Sequence, residues 1–340
     1  MAKTLVAFPH KASEHGGPGT FQGILESDLI ARGYEVSYPS FKRIPDIIFV
    51  VAGTRKLLWL FYCRLFGAKI IHRLDGLNWR HKHIKEGFFV EIKLNIQNFL
   101  ILFIRRFLAH HVIYQSYFIE SLWQRIHKVE KKSSIILNGS SINLDKKKFE
   151  RESSDVVITC IEGTIQDDPL SRQLLLELDN FAKHDDRIKA VEVFGRLSPS
   201  LNEFSKKTNI IFRGNIPRED LKSEIKERNR IFFLLETMPP CPNSLIEALC
   251  VGIPAVGLDT GSFREIIEDA GVIISYDFQA YGLNGFKGLS IKKALNLALE
   301  EYKEFSANAI LRSEYLSSDR MCEDYSLIIS SLLNENSTPS

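Results

Sequence analysis

Cysteine is sparse in this 340-residue chain and follows no pattern. The five cysteines, Cys63, Cys160, Cys241, Cys250 and Cys322, are odd in number, widely spaced and form no C-x-x-C pair. That excludes a disulfide framework and a zinc ribbon, and it fits a reducing compartment. Long hydrophobic runs are also missing. The longest, Leu57–Cys63, and the run Phe99–Ile104 fall far below the ~20 residues that span a bilayer. The opening residues have one short apolar stretch before Pro9, so no targeting signal is expected. Neither sign of charge is in excess. Lys and Arg number 44 and Asp and Glu 42, a net +2, too even for a dedicated nucleic-acid binder. The nine histidines form no H-E-x-x-H or H-x-x-x-H, so no metal site is expected. The absence of G-x-S-x-G disfavours a serine hydrolase.

Hydrophobic residues make up 44% of the chain and charged residues 25%, as in a soluble globular protein, and the length predicts two domains. Along the first half, short apolar runs alternate with helical patterns. Strands are expected at Thr4–Phe8, Glu35–Tyr38, Asp46–Val51, Lys69–Leu74, Val112–Tyr114 and Ile135–Leu137, with a glycine loop at Gly16–Gly19 before a helix from about Thr20 to Ala31. The polar stretch 140–154 reads as a linker. The second half repeats the alternation, with strands expected at Val156–Ile161, Ala190–Phe194, Ile210–Arg213, Ile231–Leu235, Ala255–Leu258 and Val272–Ile274. Helices are expected over Ser171–Ala182, Ser244–Cys250 and much of 290–333. Such alternation requires crossover connections and parallel sheets, whose ligands sit at the carboxyl ends of the strands. The fold class is therefore α/β, two doubly wound Rossmann-like domains facing a cleft. The boundaries fall at 1–150 and 151–312, with a C-terminal helix in 313–340 packing back toward the first domain.

Three segments could carry chemistry. The first is Glu236–Gly257, where a strand enters a proline-stiffened loop that opens a helix near Asn243 and Ser244. The free amide groups and dipole at a helix start suit an anion. Glu247, one turn further in, could accept hydrogen bonds from a vicinal diol such as a ribose. From the residues alone a second reading stands open, in which Asn243 or Ser244 only caps the helix and Glu247 is a solvated helix residue. The second segment is His15–Phe21. Its glycines allow close backbone approach to a ligand, but it is neither a dinucleotide fingerprint, since Gln22 stands where the third glycine would be, nor a P-loop. A plain tight turn is an equal reading. The third is His72-Arg73-Leu74-Asp75-Gly76 at the end of a strand. There Asp75 could align a hydroxyl and Arg73 could meet a phosphate; a simple turn is the alternative.

Together these segments resemble the retaining glycosyltransferases of family 4, which have the GT-B architecture. The resemblance is strongest over residues 231–268, where Glu247-Ala-Leu-Cys-Val-Gly252-Ile-Pro254-Ala-Val256 runs on to Asp259-Thr-Gly261. It extends to the glycines of 16–19 and to Asn138-Gly139. It implies that Glu247 binds the donor ribose and that Asn243, Ser244 and Leu245 meet the diphosphate. Gly17 and Gly19 would meet it from the other domain, and Gly214, Asn215 and Ile216 would lie against the base. Asp75 falls where the family places an acceptor-side residue, so Asp75 and Glu247 are the candidate catalytic residues.

The chain departs from the family at two points. Pro239 stands where the motif has its first Glu. The stretch Glu162–Pro169 lacks the Arg and Lys that hold the diphosphate in the family. His72, Arg73, Arg172, Arg196 and Arg264 are the candidate phosphate or acceptor contacts.

The implied activity is retaining transfer of a sugar from a nucleotide-sugar to a hydroxyl of a glycan or lipid-linked acceptor, in cell-surface polysaccharide or glycolipid synthesis. No cofactor is expected, and the absence of D-x-D favours metal-free donor binding. The partners are then the nucleotide-sugar and the acceptor, with no nucleic acid. Residues 79–106 combine basic and apolar side chains, as a helix resting on an anionic membrane does, or as an ordinary helix with a solvated basic face does. The expected location is the cytoplasm, at the inner face of the cell membrane if the membrane reading holds. The alternative is a GT-B-like binding or scaffold protein that has lost catalysis.

Overall fold

A computed structural model of the chain describes residues 3–13, 16–76, 87–142, 155–226, 229–277 and 290–334. The chain divides into two compact units, Met1–Asn138 with Ser318–Ser340, and Gly139–Ser317. Residues 143–154, most of the stretch expected as a linker, lie outside the described residues.

Unit 1 runs β1 (Leu5–Ala7), α1 (Gly17–Ala31), β2 (Glu35–Ser37), β3 (Ile47–Val51), α2 (Leu57–Leu65), β4 (Lys69–Leu74), α3 (Phe88–Phe103), β5 (His111–Tyr114), α4 (Tyr117–Ile126) and β6 (Ser133–Ile135). A π-helical turn, Ile104–Leu108, continues α3. The strands form one parallel sheet in the order β2-β1-β3-β4-β5-β6. One sheet face packs Phe8, Phe49, Ile71 and Ile113 against Phe21, Leu25 and Leu29 of α1. The same cluster holds Met321, Tyr325 and Ile329 of the last helix, Ser318–Asn334, which belongs to this unit. The other face packs Ile48, Val50 and Ile70 against Trp59, Leu60 and Cys63 of α2.

Two local expectations change here. The segment Gly17–Gly19, expected as a loop, is the first turn of α1. Pro18 is tolerated there because helix-start amides need no partner within the helix. Gly19 is required there because a Cβ would fall 2.2 Å from the Ser13 carbonyl oxygen. The last strand ends at Ile135 rather than Leu137, since its ladder stops opposite Tyr114, the last residue of β5.

Unit 2 runs β7 (Val156–Ile165), α5 (Pro169–Lys183), β8 (Ile188–Leu197), α6 (Asn202–Ser205), β9 (Ile211–Gly214), α7 (Arg218–Lys226), β10 (Arg230–Leu234), α8 (Asn243–Cys250), β11 (Ala255–Leu258), α9 (Phe263–Ile267), β12 (Gly271–Ile274), α10 (Ile291–Glu300) and α11 (Tyr302–Tyr315). The closing helix of unit 1 is α12. The strands form a second parallel sheet, β12-β11-β10-β7-β8-β9. Leu170, Leu174 and Leu178 of α5 and Leu295 and Ala298 of α10 share a buried cluster with Val191, Ile231 and Phe233 of the sheet. Asp168 caps α5, its carboxylate accepting from the amides of Leu170 and Ser171 at 3.1 and 3.0 Å.

β7 and β8 outrun their expected ends. A register shift lies between Ile161 and Thr164, after which Thr164 pairs with Arg196 and Ile165 with Leu197. Gly195 permits this extension. Its φ is +129°, and a Cβ there would lie 2.0 Å from the Glu162 carbonyl oxygen.

A buried ion pair crosses the face of this sheet. Arg230 and Glu192 have fully buried side chains, with Nη1 donating to the Glu192 carboxylate at 2.8 Å and to Thr159 Oγ1 at 2.6 Å. Arg213 donates to the other carboxylate oxygen. Burial favours the neutral acid, but these guanidinium hydrogen bonds hold the Glu192 carboxyl below the usual carboxylate range.

Candidate functional site

At the carboxyl edge of the unit 2 sheet, β10 opens into the loop 235–242 and then into α8. The helix begins after Pro242, and no side chain caps it, so neither Asn243 nor Ser244 acts as the N-cap. The positive end of the helix dipole lies at this start, an arrangement that suits an anion. Glu247 follows one turn later and is 6% exposed. It is not a solvated helix residue.

The loop ahead of α8 is fixed by the turn after β11. The Pro239 carbonyl accepts from the Ser262 amide at 2.8 Å and from its hydroxyl at 2.9 Å. The Met238 amide donates to Thr260 Oγ1 at 3.3 Å. Gly261 has a φ of +61°, and a Cβ there would lie 2.3 Å from Pro239 Cδ. Pro239, which replaces the motif carboxylate, therefore packs against this turn.

Strand β7 ends beside the same loop. The Glu162 carboxylate accepts from the Glu236 amide at 3.0 Å. Burial, and next the nearby Glu236 charge, push the Glu162 carboxyl well above the usual carboxylate range. A carboxyl so raised presents less negative charge at a given pH. Sequence reasoning missed this residue; its place between the expected strand end at Ile161 and Gly163 was the available signal.

The candidate cations divide sharply. Arg172 forms a two-pronged pair with Asp167 at 2.5 and 2.9 Å, and Arg264 one with Asp259 at 3.0 and 2.6 Å. Arg196 is exposed at the end of β8, and among the described residues it has no hydrogen-bond or ion-pair partner. It stands opposite Thr164, the residue after Gly163 where the resembled motif has its arginine. Gly214, with a φ of +69°, ends β9 on the same edge and leads into Asn215 and Ile216.

In unit 1, the ends of β4, β5 and β6 are joined through Arg73. Its guanidinium donates to Asp75, to Gln115 Oε1 at 2.7 Å and to Asn138 Oδ1 at 2.6 Å, and it stacks 3.9 Å from the Phe21 ring centroid. Arg73 is 1% exposed, so its charge is committed inside the unit rather than offered to a phosphate. It orients Asp75, whose carbonyl also accepts from Trp123 Nε1 at 3.1 Å. Among the described residues, Asp75 Oδ2 is buried with no hydrogen-bond partner, an acceptor that an incoming hydroxyl could use.

His72 is fully buried. Its Nε2 lies 2.6 Å from the Ala52 carbonyl oxygen, and burial pulls its pKa down to about 4. It is a neutral packing residue, not a ligand contact. Gln115 and Asn138, which hold Arg73, were not read as its partners from sequence. Each follows a strand end, but only the fold brings them together. His15 lies outside the described residues, and Gly17 and Gly19 sit in the first turn of α1.

Residues 192–309 match a family model described as glycosyl transferases group 1, about a third of the chain. That stretch lies wholly in unit 2 and contains Arg196, Gly214 and α8. No curated protein matches the chain in sequence. Among solved structures, sucrose-phosphate synthase from Thermosynechococcus elongatus superposes with a TM-score of 0.70 at 12% identity, covering 98% of this chain and 100% of that one. HepE from Anabaena, solved with UDP and glucose, gives 0.63 at 14% identity over 96% and 100%. WaaG, a glycosyltransferase involved in lipopolysaccharide biosynthesis, gives 0.62 at 13% over 96% and 99%. The fold is that of the GT-B glycosyltransferases, with two Rossmann-like units.

Proposed function

We propose that the chain is a retaining glycosyltransferase of family 4 type that moves a sugar from a nucleotide-sugar to a hydroxyl of a glycan or lipid-linked acceptor. One observation carries this reading. The stretch that matches the group 1 glycosyltransferases contains a buried carboxylate, Glu247, one turn past an uncapped helix start. The diphosphate of the donor would bind at the amides of Asn243, Ser244 and Leu245, and Glu247 would hold the ribose diol. Gly214, Asn215 and Ile216 would border the base. In unit 1, Gly17 and Gly19 would approach the diphosphate, and Asp75, held by Arg73, would align the attacking hydroxyl. As the glycosidic bond to the donor breaks, negative charge grows on the leaving diphosphate, and the helix start and Arg196 would stabilise it. The reading calls for no metal ion and no other cofactor. It places the protein in the cytoplasm, serving cell-surface polysaccharide or glycolipid synthesis, with a membrane contact through residues 79–106. Of these, 79–86 lie outside the described residues.

UDP, bound in the HepE structure, is the first nucleotide to try. Thermal shift against UDP, GDP, ADP and TDP, each with and without its sugars, should show stabilisation by one base class. A chain that responds to none of them is the impaired binding or scaffold protein. Pro239 in the motif and the missing Arg and Lys after β7 favour that second reading.

Arg196→Ala should raise the KM for the donor about tenfold, the loss of one charge-assisted hydrogen bond, while Arg196→Lys recovers part of it. Arg264→Ala, which removes a guanidinium already paired with Asp259, should change the donor KM far less. Equal effects from both would show that Arg196 holds no special place.

A further inference from the structure

Helix α3 is apolar around most of its circumference and yet almost uncovered. Of its sixteen residues only Ile101 is buried. Phe89 is 85% exposed, and Phe88, Ile92, Ile96 and Phe99 are exposed as well. A helix with this composition normally lies inside a protein or against a membrane.

Helix α2 shows the same surplus. Trp59, Leu60 and Cys63 face the core, while Leu58, Phe61 and Leu65 face outward, with Leu58 85% exposed. Phe66, just past its end, and Phe41 are also exposed. The two outer rows flank one buried cluster, in which Trp59, Leu60 and Cys63 meet Ile104 and Leu108, with Tyr62 and Phe103 packed against them. The Tyr62 ring lies 5.2 Å from Phe41 and 4.7 Å from Phe66, and Phe103 lies 6.5 Å from Phe99 and 5.1 Å from Phe107. Soluble monomers rarely expose connected apolar area on this scale.

The charge on these segments is mainly positive. Residues 41–69 hold six Lys and Arg against Asp46 alone, and Asp46 accepts the Leu5 amide at 2.7 Å. Residues 87–110 hold Lys93 and Arg106 against Glu91 alone, a third cation, Arg105, being buried against Tyr114 and the His127 carbonyl. Lys42, Arg55, Lys56, Lys93 and Arg106 are all exposed.

We infer that α2 and α3 form one docking face for an anionic lipid bilayer, with Leu58, Phe61, Leu65, Phe88 and Phe89 entering the headgroup and acyl boundary and the surrounding cations meeting lipid phosphates. This deepens the membrane contact of the proposed function by adding α2, and it requires no transferase activity. A second copy of the chain is the poorer occupant. A two-fold interface would bring these cations against their own copies, and like charges repel. The face lies on the bilayer and does not cross it, since among the described residues no helix is long and apolar enough to span a membrane.

The test is flotation of the full chain with phosphatidylcholine vesicles containing about one-third phosphatidylglycerol, and with phosphatidylcholine alone. Wild type should float with the anionic vesicles in low salt and much less in high salt. The double variant Phe61→Ser, Leu65→Ser on α2 should lower the bound fraction about tenfold or more, with an unchanged circular dichroism spectrum and melting temperature. Phe89→Ser on α3 should act in the same direction. Loss with the α3 variant but not with the α2 pair would overturn the joint face while leaving the contact through 79–106 standing. No flotation at all would overturn both. So would a wild-type dimer that the same variants split in the absence of vesicles.

Discussion

Arg230→Met should destabilise the protein by about 3–5 kcal/mol, because it takes the buried guanidinium partner from the Glu192 carboxylate and leaves the half-exposed Arg213 beside it. For a unit of this size that corresponds to a fall in melting temperature on the order of 10 °C. Most of the penalty comes from the charge left behind rather than from the worth of the pair, so the double variant Arg230→Met, Glu192→Leu should regain most of the loss. Denaturant titration of the four proteins closes the cycle. Recovery of less than half would mean that Arg230 acts mainly through Thr159 and Glu224, its other partners. The pH dependence has a definite sign. The folded carboxyl of Glu192 lies below its ordinary value of 4.5, so its contribution is complete above that value and fades as the pH falls through the folded one. Glu192→Gln should flatten the loss of stability in that acid window and leave the slope near neutral pH untouched.

On the proposed role, Glu247→Ala should cut sugar transfer to about 1% of wild type or less. Two charge-assisted hydrogen bonds to a diol are each worth about 1.5–3 kcal/mol, and together they amount to a hundredfold or more in kcat/KM. Glu247→Gln keeps the shape and removes the charge, and should fall between the two. The residue is nearly buried, so each variant must first melt as wild type does. If Glu247→Gln melts normally and transfers sugar at the wild-type rate, Glu247 is a packing residue and the donor must bind elsewhere on the edge. Loss of affinity for the bare nucleotide should accompany the loss of rate, since the ribose belongs to the nucleotide whether or not a sugar is attached.

Strand-helix alternation carried the architecture, because a buried parallel strand is a short apolar run with punctuation at both ends. Lys69–Leu74 and Ala255–Leu258 match their expected bounds for that reason. Apolar runs do not declare their period when they are short. Leu57–Cys63 lies within helix α2, whose nine residues are too few to separate helix from strand without the fold. Glycine read as a loop at Gly17–Gly19 because glycine weakens helices in general, whereas here close packing on Ser13 outweighs that preference.

The site was legible only where it is local in sequence. Asn243 through Glu247, whose roles are proposed, lie on about one and a half turns of one helix, so the sequence alone sets them side by side. The Arg73 network is joined across 42 residues to Gln115 and 65 to Asn138, and the Glu162–Glu236 contact spans 74, distances at which no spacing rule operates. Four arginines looked alike as phosphate partners from sequence. Their differences lie in how deeply the fold buries each one and in which partners it sets beside them.

Helix α12 closes the core of unit 1, with Tyr325 5.2 Å from the Phe21 ring and 5.4 Å from that of Phe49. During synthesis the ribosome delivers Phe21 and Phe49 early, but Tyr325 only after all of unit 2 has emerged. The first-made half must therefore wait with an open hydrophobic flank, a natural client for a chaperone, while the later half is complete before it. Released chains truncated before Ser318 should hold a finished second unit and an unfinished first one.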